Sequence, residues 1–142
     1  SPLPLLSLID ETVAAVRQMK PVPRTIGLIA TTGTVRSGIF ADAFEAVGIE
    51  VIVPAIRDQT RVMTAVYGKK GIKAGFTEGP AREILLEMAG GLIRRGARAI
   101  LAGCTEVPLV LEADDLSVLL IDPMTIGARA AIRRAGARLR RL

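Results

Sequence analysis

Short apolar segments alternate with longer segments of helical periodicity, and this alternation is the strongest indication of the fold. The pattern predicts strands at residues 25–30, 50–53, 97–102 and 118–121. Strands that alternate with helices form βαβ units, with parallel pairing and right-handed crossovers. The sequence therefore predicts an α/β fold: a three-layer αβα arrangement around a four-stranded, mainly parallel sheet.

Helical periodicity and helix-end signals complete this prediction. Helices are expected at residues 8–19, 35–47, 58–67, 80–95, 107–112 and 124–135. Ser7 is expected to cap the first helix, and Pro80 suits the first position of the fourth. Pro21 and Pro23 predict a short, stiff linker between the first helix and the first strand.

The 142 residues include no histidine and a single cysteine, which limits the catalytic mechanisms and metal sites that the chain can form. It excludes Ser-His-Asp and Cys-His catalysis and makes a protein-bound zinc site unexpected. The chain also lacks the glycine patterns of dinucleotide and nucleoside triphosphate sites. We therefore expect no metal and no cofactor, with acid–base chemistry supplied by Cys, Asp, Glu, Lys or Tyr.

A net charge of +5 favours anionic partners. Much of the excess lies in the C-terminal tail of the sequence, at Arg133, Arg134, Arg138, Arg140 and Arg141. Cations are stabilised near a helix C-terminus, so a solvated helix end accounts for them. Nucleic-acid binding is not expected, because no recognised motif or stacking aromatics accompany these arginines. No apolar run is long enough to cross a bilayer and no signal peptide is evident, so we expect a cytoplasmic protein without membrane contact.

Ligands of parallel sheets bind beyond the carboxyl ends of the strands. The residues expected there are 31–34, 54–57, 103–106 and 122–125. Cys104 lies in this set, before the helix predicted at 107–112, and a nearby helix N-terminus would lower the pKa of its thiol. Thr105 could cap that helix or donate to a substrate carboxylate. Glu106 could oppose thiolate formation or simply be a first-turn acid, and both interpretations stay open.

Two further segments are candidates for binding. The hydroxyls of Thr32 and Thr34 follow the first predicted strand and suit a carboxylate, and a polar turn with a helix cap is the alternative explanation. The segment at residues 68–79 contains Lys73 among glycines and lysines. It could be a lid that closes on an anion or a solvated surface loop.

Four stretches, ATTGT, VYGKKGIKAG, AILAGCTEVPLVL and LIDPMTIGARAA, together resemble the aspartate/glutamate racemase family. The GCTE motif is similar to that of the aspartate-racemase branch, since the glutamate-racemase branch typically has His in place of Glu106. The opening residues resemble the end of the family's first domain. By this resemblance, residues 1–23 end the first domain and form the linker, and residues 24–142 form the second domain, a flavodoxin-like half of a two-domain fold.

The resemblance implies racemization without pyridoxal phosphate, in which one thiolate removes the Cα proton and an opposite thiol returns one. Cys104 matches the second-domain cysteine. Thr34 and Thr105 match residues that contact the substrate carboxylate and ammonium groups, and Lys73 matches a lysine that binds the side-chain carboxylate of an acidic amino acid. Thr32 and Glu106 complete the candidate substrate-binding residues.

The first-domain cysteine has no counterpart, because Cys104 is the single cysteine. We therefore expect this chain alone to have little or no racemase activity. Related cysteine-dependent enzymes, namely hydantoin racemases, maleate isomerases and arylmalonate decarboxylases, stay open as alternatives. A non-catalytic binding or assembly domain and self-association of the chain also stay open.

Overall fold

A computed structural model describes the backbone of residues 2–141 and the side chains of residues 8–137. Six α-helices and four strands lie in this range. They are α1 (Pro2–Arg17), β1 (Thr25–Ile29), α2 (Thr32–Ser37), α3 (Ile39–Glu45), β2 (Glu50–Ile52), α4 (Ile56–Tyr67), α5 (Pro80–Arg94), β3 (Ala99–Ala102), β4 (Leu119–Ile121) and α6 (Pro123–Arg141). Short 3-10 turns lie at Ile72–Ala74, Val107–Leu109 and Ala113–Asp115.

The four strands form one parallel sheet in the order β2-β1-β3-β4. Strand β1 is central: Gly27 pairs with Ile52 on one side and with Ile100 on the other. All four residues of β3 are buried, as expected for a parallel strand that is covered on both faces. The predicted α/β fold with a four-stranded parallel sheet is therefore confirmed.

Two apolar clusters cover the two faces of the sheet. On one face, α4 and α5 contribute Val62, Val66, Leu85 and Leu92. On the other, α1 and α3 contribute Ile9, Val16, Phe40 and Phe44. The three layers follow from this burial. Helix α1 thus shares a core with β1, and the domain boundary predicted at residue 23 stays a prediction.

The helix predicted at residues 35–47 is wrong in two respects. It begins earlier, because Thr31 is extended and its carbonyl accepts the Val35 N–H at 3.1 Å, so residues 31–34 form a cap and first turn. It is also broken at Gly38, whose φ of 69° lies in the left-handed region that favours glycine. The break separates α2 from α3.

The helix predicted at residues 107–112 is also wrong, since only the turn Val107–Leu109 forms. The chain instead buries Val110 and Leu111, and Arg82 donates a hydrogen bond to the Val110 carbonyl at 2.5 Å. Glu112 then caps the following turn together with Asp115. Tertiary contacts therefore end this helix after one turn.

The outer helices are longer than predicted. Helix α1 begins at Pro2, so Ser7 lies inside it rather than at its cap, and α6 runs from Pro123 to Arg141. Arg134 forms an ion pair with Glu11, whereas the side chains of Arg138, Arg140 and Arg141 lie outside the described residues. Across the described residues, every helix is too short or too polar to cross a membrane.

Candidate active site

A cavity of about 440 Å³ opens at the carboxyl edge of the sheet. Its lining consists of Leu8, Gly33, Thr34, Ser37, Ile39, Phe40, Ala102, Gly103, Cys104, Thr105, Pro123 and Met124. Three of the four segments predicted at this edge thus contribute to one cavity. Residues 54–57 are not part of this lining, which is completed by Leu8 of α1, Ser37 of α2, and Ile39 and Phe40 of α3.

Gly103 places Cys104 at the end of β3. Its N–H donates to the Ile29 carbonyl at 2.9 Å, and a Cβ at this position would lie 2.6 Å from Leu28 Cδ1 and 2.8 Å from Ala30 Cβ. Only a residue without a side chain lets the turn lie this close to β1. The glycine is therefore required by packing against the neighbouring strand, a reason that the sequence did not reveal.

The Cys104 thiol is half-buried, and burial raises its pKa above the ordinary value. Backbone N–H groups of Val107 and Glu106 donate towards the sulfur and oppose this rise, whereas the Glu106 carboxylate adds to it. The predicted lowering of this pKa is wrong, because burial outweighs the two backbone donors and a single 3-10 turn lies where the helix was predicted. The thiol is therefore predominantly protonated at neutral pH.

Thr34 lies in the same cavity as Cys104. Its Oγ1 is 3.3 Å from Thr31 Oγ1, so one hydroxyl donates to the other. Gly33 and Thr34 lie in the first turn of α2, where backbone N–H groups have no intrahelical acceptor. This turn can offer a ligand both backbone and hydroxyl donors.

Thr32 is directed towards α4. Its Oγ1 accepts a hydrogen bond from Gln59 Nε2 at 3.3 Å, and its N–H contacts Met63 Sδ at 3.2 Å. Direct contact of Thr32 with substrate stays a prediction. Sequence reasoning missed Gln59, although a polar residue three positions before Val62, on the face that α4 buries, was the available signal.

Lys73 and Glu106 form an ion pair at the turn that carries Cys104. Lys73 Nζ lies 2.7 Å from Glu106 Oε1, and the Thr105 hydroxyl donates to Glu106 Oε2 at 3.2 Å. The ammonium also lies 5.5 Å from the centroid of the Tyr67 ring, a cation–π distance. The hydrogen bond raises the pKa of Lys73 and lowers the pKa of Glu106, so both groups are charged at neutral pH.

The position of Glu106 bears on its two predicted roles, as a charge that opposes thiolate formation and as an acid in the first turn of a helix. Its carboxylate raises the pKa of Cys104, as the first interpretation requires, and it also neutralises Lys73. The helix that the second interpretation needs is absent from this part of the described chain. In the described residues, no group of three or more Cys, Asp or Glu side chains is placed to hold a metal ion.

Known proteins are similar to this chain in both sequence and fold. Residues 1–131 match the family model described as Asp/Glu/Hydantoin racemase. The uncharacterized protein in the pnlA 3' region of Pectobacterium carotovorum subsp. carotovorum is 34% identical over 111 residues, which cover 78% of this chain and 69% of that protein.

Solved structures of other proteins are similar to this chain in fold. A candidate Asp/Glu racemase from Yersinia pestis superposes with a TM-score of 0.80 at 29% identity, covering 90% of this chain and 54% of that one. The aspartate racemase of Picrophilus torridus gives 0.76 at 29% identity, covering 91% and 52%. The chain spans about half the length of these two structures. The family match over residues 1–131 shows that this chain belongs to the Asp/Glu/Hydantoin racemase family.

Proposed function

We propose that this chain supplies Cys104 as a proton-transferring group of a racemase that acts at Cα of an acidic amino acid without pyridoxal phosphate. The observation that carries the proposal is that Cys104 and Thr34 line one cavity, in a chain of this family. A thiol and a set of hydrogen-bond donors are thereby available to the same ligand.

The protonated thiol suits the proton-returning step. In that step the S–H bond breaks, the proton moves to the carbanionic Cα, and a thiolate is left on Cys104. The N–H groups of Val107 and Glu106 that donate towards the sulfur would stabilise this thiolate. Removal of a proton from the opposite enantiomer is the reverse step, so the same contacts serve both directions.

The amides of Gly33 and Thr34 and the Thr34 hydroxyl are available as donors to a substrate carboxylate. The Thr105 hydroxyl donates to Glu106 Oε2 and would have to release that hydrogen bond before it could donate to the substrate carboxylate. Negative charge builds up on that carboxylate when the Cα proton leaves. Donors held on a fixed turn lower the barrier, because they need no reorganisation as the charge develops.

Inversion at Cα also needs a second proton-transferring group on the opposite face. Among the described residues that line the cavity, Cys104 is the single titratable one. A partner group must therefore come from outside this lining. We accordingly expect this chain alone to exchange a proton on one face of Cα without inverting the substrate.

Lys73 is the group through which we propose recognition of an acidic side chain. Its ammonium has three donors, of which Glu106 takes one, and a second carboxylate can bind beside Glu106. The site would then hold a cation between two carboxylates.

A second candidate substrate is favoured by the apolar part of the wall. Leu8, Ile39 and Phe40 line the cavity that contains Cys104. These side chains suit an apolar substituent, such as that of a 5-substituted hydantoin, better than a second carboxylate.

A binding domain without catalysis is a further candidate function, because the raised pKa of Cys104 fits it equally.

Ligand protection of Cys104 against iodoacetamide separates these functions. We expect aspartate or glutamate to slow alkylation of the wild-type chain, and to lose this effect in Lys73→Met but not in Lys69→Met, an exposed control in the same segment. If 5-benzylhydantoin slows alkylation equally in the wild-type chain and in Lys73→Met, the substrate belongs to the second class. Absence of protection by every one of these compounds contradicts a substrate site at Cys104.

A further inference from the structure

The buried amide of Gln59 lies on the α4 side of the turn that carries Thr34. Gln59 is 8% exposed, and its Nε2 donates to the Ala30 carbonyl at 2.9 Å and to Thr32 Oγ1 at 3.3 Å. A backbone carbonyl can only accept, so Nε2 rather than Oε1 must face Ala30. The chemistry of the contact therefore fixes the orientation of the amide.

The oxygen of this amide lowers the stability of the fold. No described residue donates a hydrogen bond to Gln59 Oε1, which is buried. A leucine of similar size would avoid the free-energy cost of an unpaired buried acceptor. What the amide contributes must therefore lie in the two hydrogen bonds that Nε2 donates.

Those hydrogen bonds hold an element that packing holds only in part, since half-buried Val35 is the one apolar side chain of α2 that packs against the described core. Helix α2 contains no buried residue among its six described positions. At its start, Thr32 contacts α4 twice, through its hydroxyl to Gln59 and through its N–H to Met63 Sδ. Thr34 follows two positions later and lines the cavity with Cys104.

We propose that Gln59 is a positioning residue, which holds the start of α2 against the end of β1 and thereby fixes Thr34 in the cavity. Gln59 lies outside the lining and acts through Thr32. The ligand that this placement serves rests on the proposed function, whereas the placement itself can be tested without a ligand.

The direct test compares Gln59→Leu with Val62→Ala in the full chain. The first variant keeps the size of the side chain and removes both hydrogen bonds, and the second weakens the same helix at a fully buried apolar position. Native-state amide exchange reports on the Val35 N–H, which bonds to the Thr31 carbonyl, and on the Leu85 N–H in α5.

We expect Gln59→Leu to accelerate exchange at Val35 roughly five- to tenfold more than at Leu85. Val62→Ala should accelerate both sites by similar factors. Thr32→Val removes one hydrogen-bond acceptor and leaves the core unchanged, so it should also accelerate exchange more at Val35 than at Leu85. This variant replaces Gln59→Leu in the test if Gln59→Leu does not fold. The proposal is overturned if the variants that lose hydrogen bonds accelerate both sites equally or leave Val35 unchanged.

A second measurement connects the placement to binding. Aspartate is titrated into each variant while the Thr34 amide signal is followed, and we expect roughly fivefold weaker binding to Gln59→Leu than to Val62→Ala. Equal affinities would contradict the positioning role. If wild type binds no aspartate, the proposed substrate is wrong, and the exchange measurement alone decides the role of Gln59.

Discussion

Lys73 Nζ and Glu106 Oε1 lie 2.7 Å apart, and their ion pair ties the glycine-rich segment 68–79 to the turn that carries Cys104. The Glu106 side chain is only 15% exposed, so solvent and salt screen this pair less than a surface pair. Burial is the largest cause of the raised pKa of Cys104 and the Glu106 carboxylate adds to it, so the charge state of the pair contributes to ionisation of the thiol.

Opposite changes in the pair should shift the Cys104 pKa in opposite directions. Glu106→Gln removes a negative charge and leaves the Lys73 cation, so we expect the Cys104 pKa to fall. Lys73→Met leaves the carboxylate without its counter-ion, so the Cys104 pKa should rise. The rate of iodoacetamide alkylation from about pH 6 to about pH 10 measures both shifts.

Lys69→Met is the matched control, because it removes one positive charge from the same segment at an exposed position. It should leave the alkylation profile close to that of wild type. Shifts in the same direction for Glu106→Gln and Lys73→Met would show that Cys104 does not respond to this ion pair.

Gly103→Ala should destabilise the fold. The added Cβ would lie 2.6 Å from Leu28 Cδ1 and 2.8 Å from Ala30 Cβ, so strand β1 or the cysteine turn must move. Overpacking of this kind costs about 1–3 kcal/mol in the free energy of unfolding, measurable by urea denaturation. Gly136→Ala, which places a methyl group in open space on α6, should be neutral or slightly stabilising. Equal stabilities of the two variants would contradict the close approach at Gly103.

The pairing of Arg82 with Asp115 predicts a loss of stability in acid. Hydrogen bonds from Arg82 lower the pKa of Asp115 from 3.8 to about 2. A carboxylate whose pKa is lowered by folding stabilises the folded state above its unfolded pKa, and this contribution disappears as the pH falls through the folded value. Wild type should therefore lose more stability between about pH 5 and about pH 2 than Asp115→Asn does, as measured by urea unfolding.

Asp114→Asn provides the comparison for that experiment, since Asp114 is an exposed neighbour in the same turn. It should follow the wild-type pH dependence. If Asp115→Asn follows it as well, the ion pair with Arg82 is not the source of the acid sensitivity.

Much of the sheet and part of the site could be predicted from the sequence, for a physical reason. Strands buried on both faces require continuous apolar runs, and β1 and β3 have them. Once the strands are parallel, their carboxyl ends share one edge, which places Thr34 and Cys104 in one region.

The remainder depends on contacts between residues far apart in the chain. The helical periodicity of residues 35–47 continues through Gly38, and only the backbone shows its left-handed conformation. The turn at Val107–Leu109 ends because Val110 enters the core. Gln59 resembles an ordinary polar residue of a helix start until Ala30 and Thr32 are placed beside it.

Proton exchange at Cα of aspartate in D₂O measures directly whether Cys104 transfers a proton to and from a bound substrate. We expect the wild-type chain to replace the α-proton of one enantiomer by deuterium without inverting it. Cys104→Ala should slow this exchange by roughly 100-fold or more. Equal rates in the two proteins, including no detectable exchange by either, would show that Cys104 does not transfer this proton.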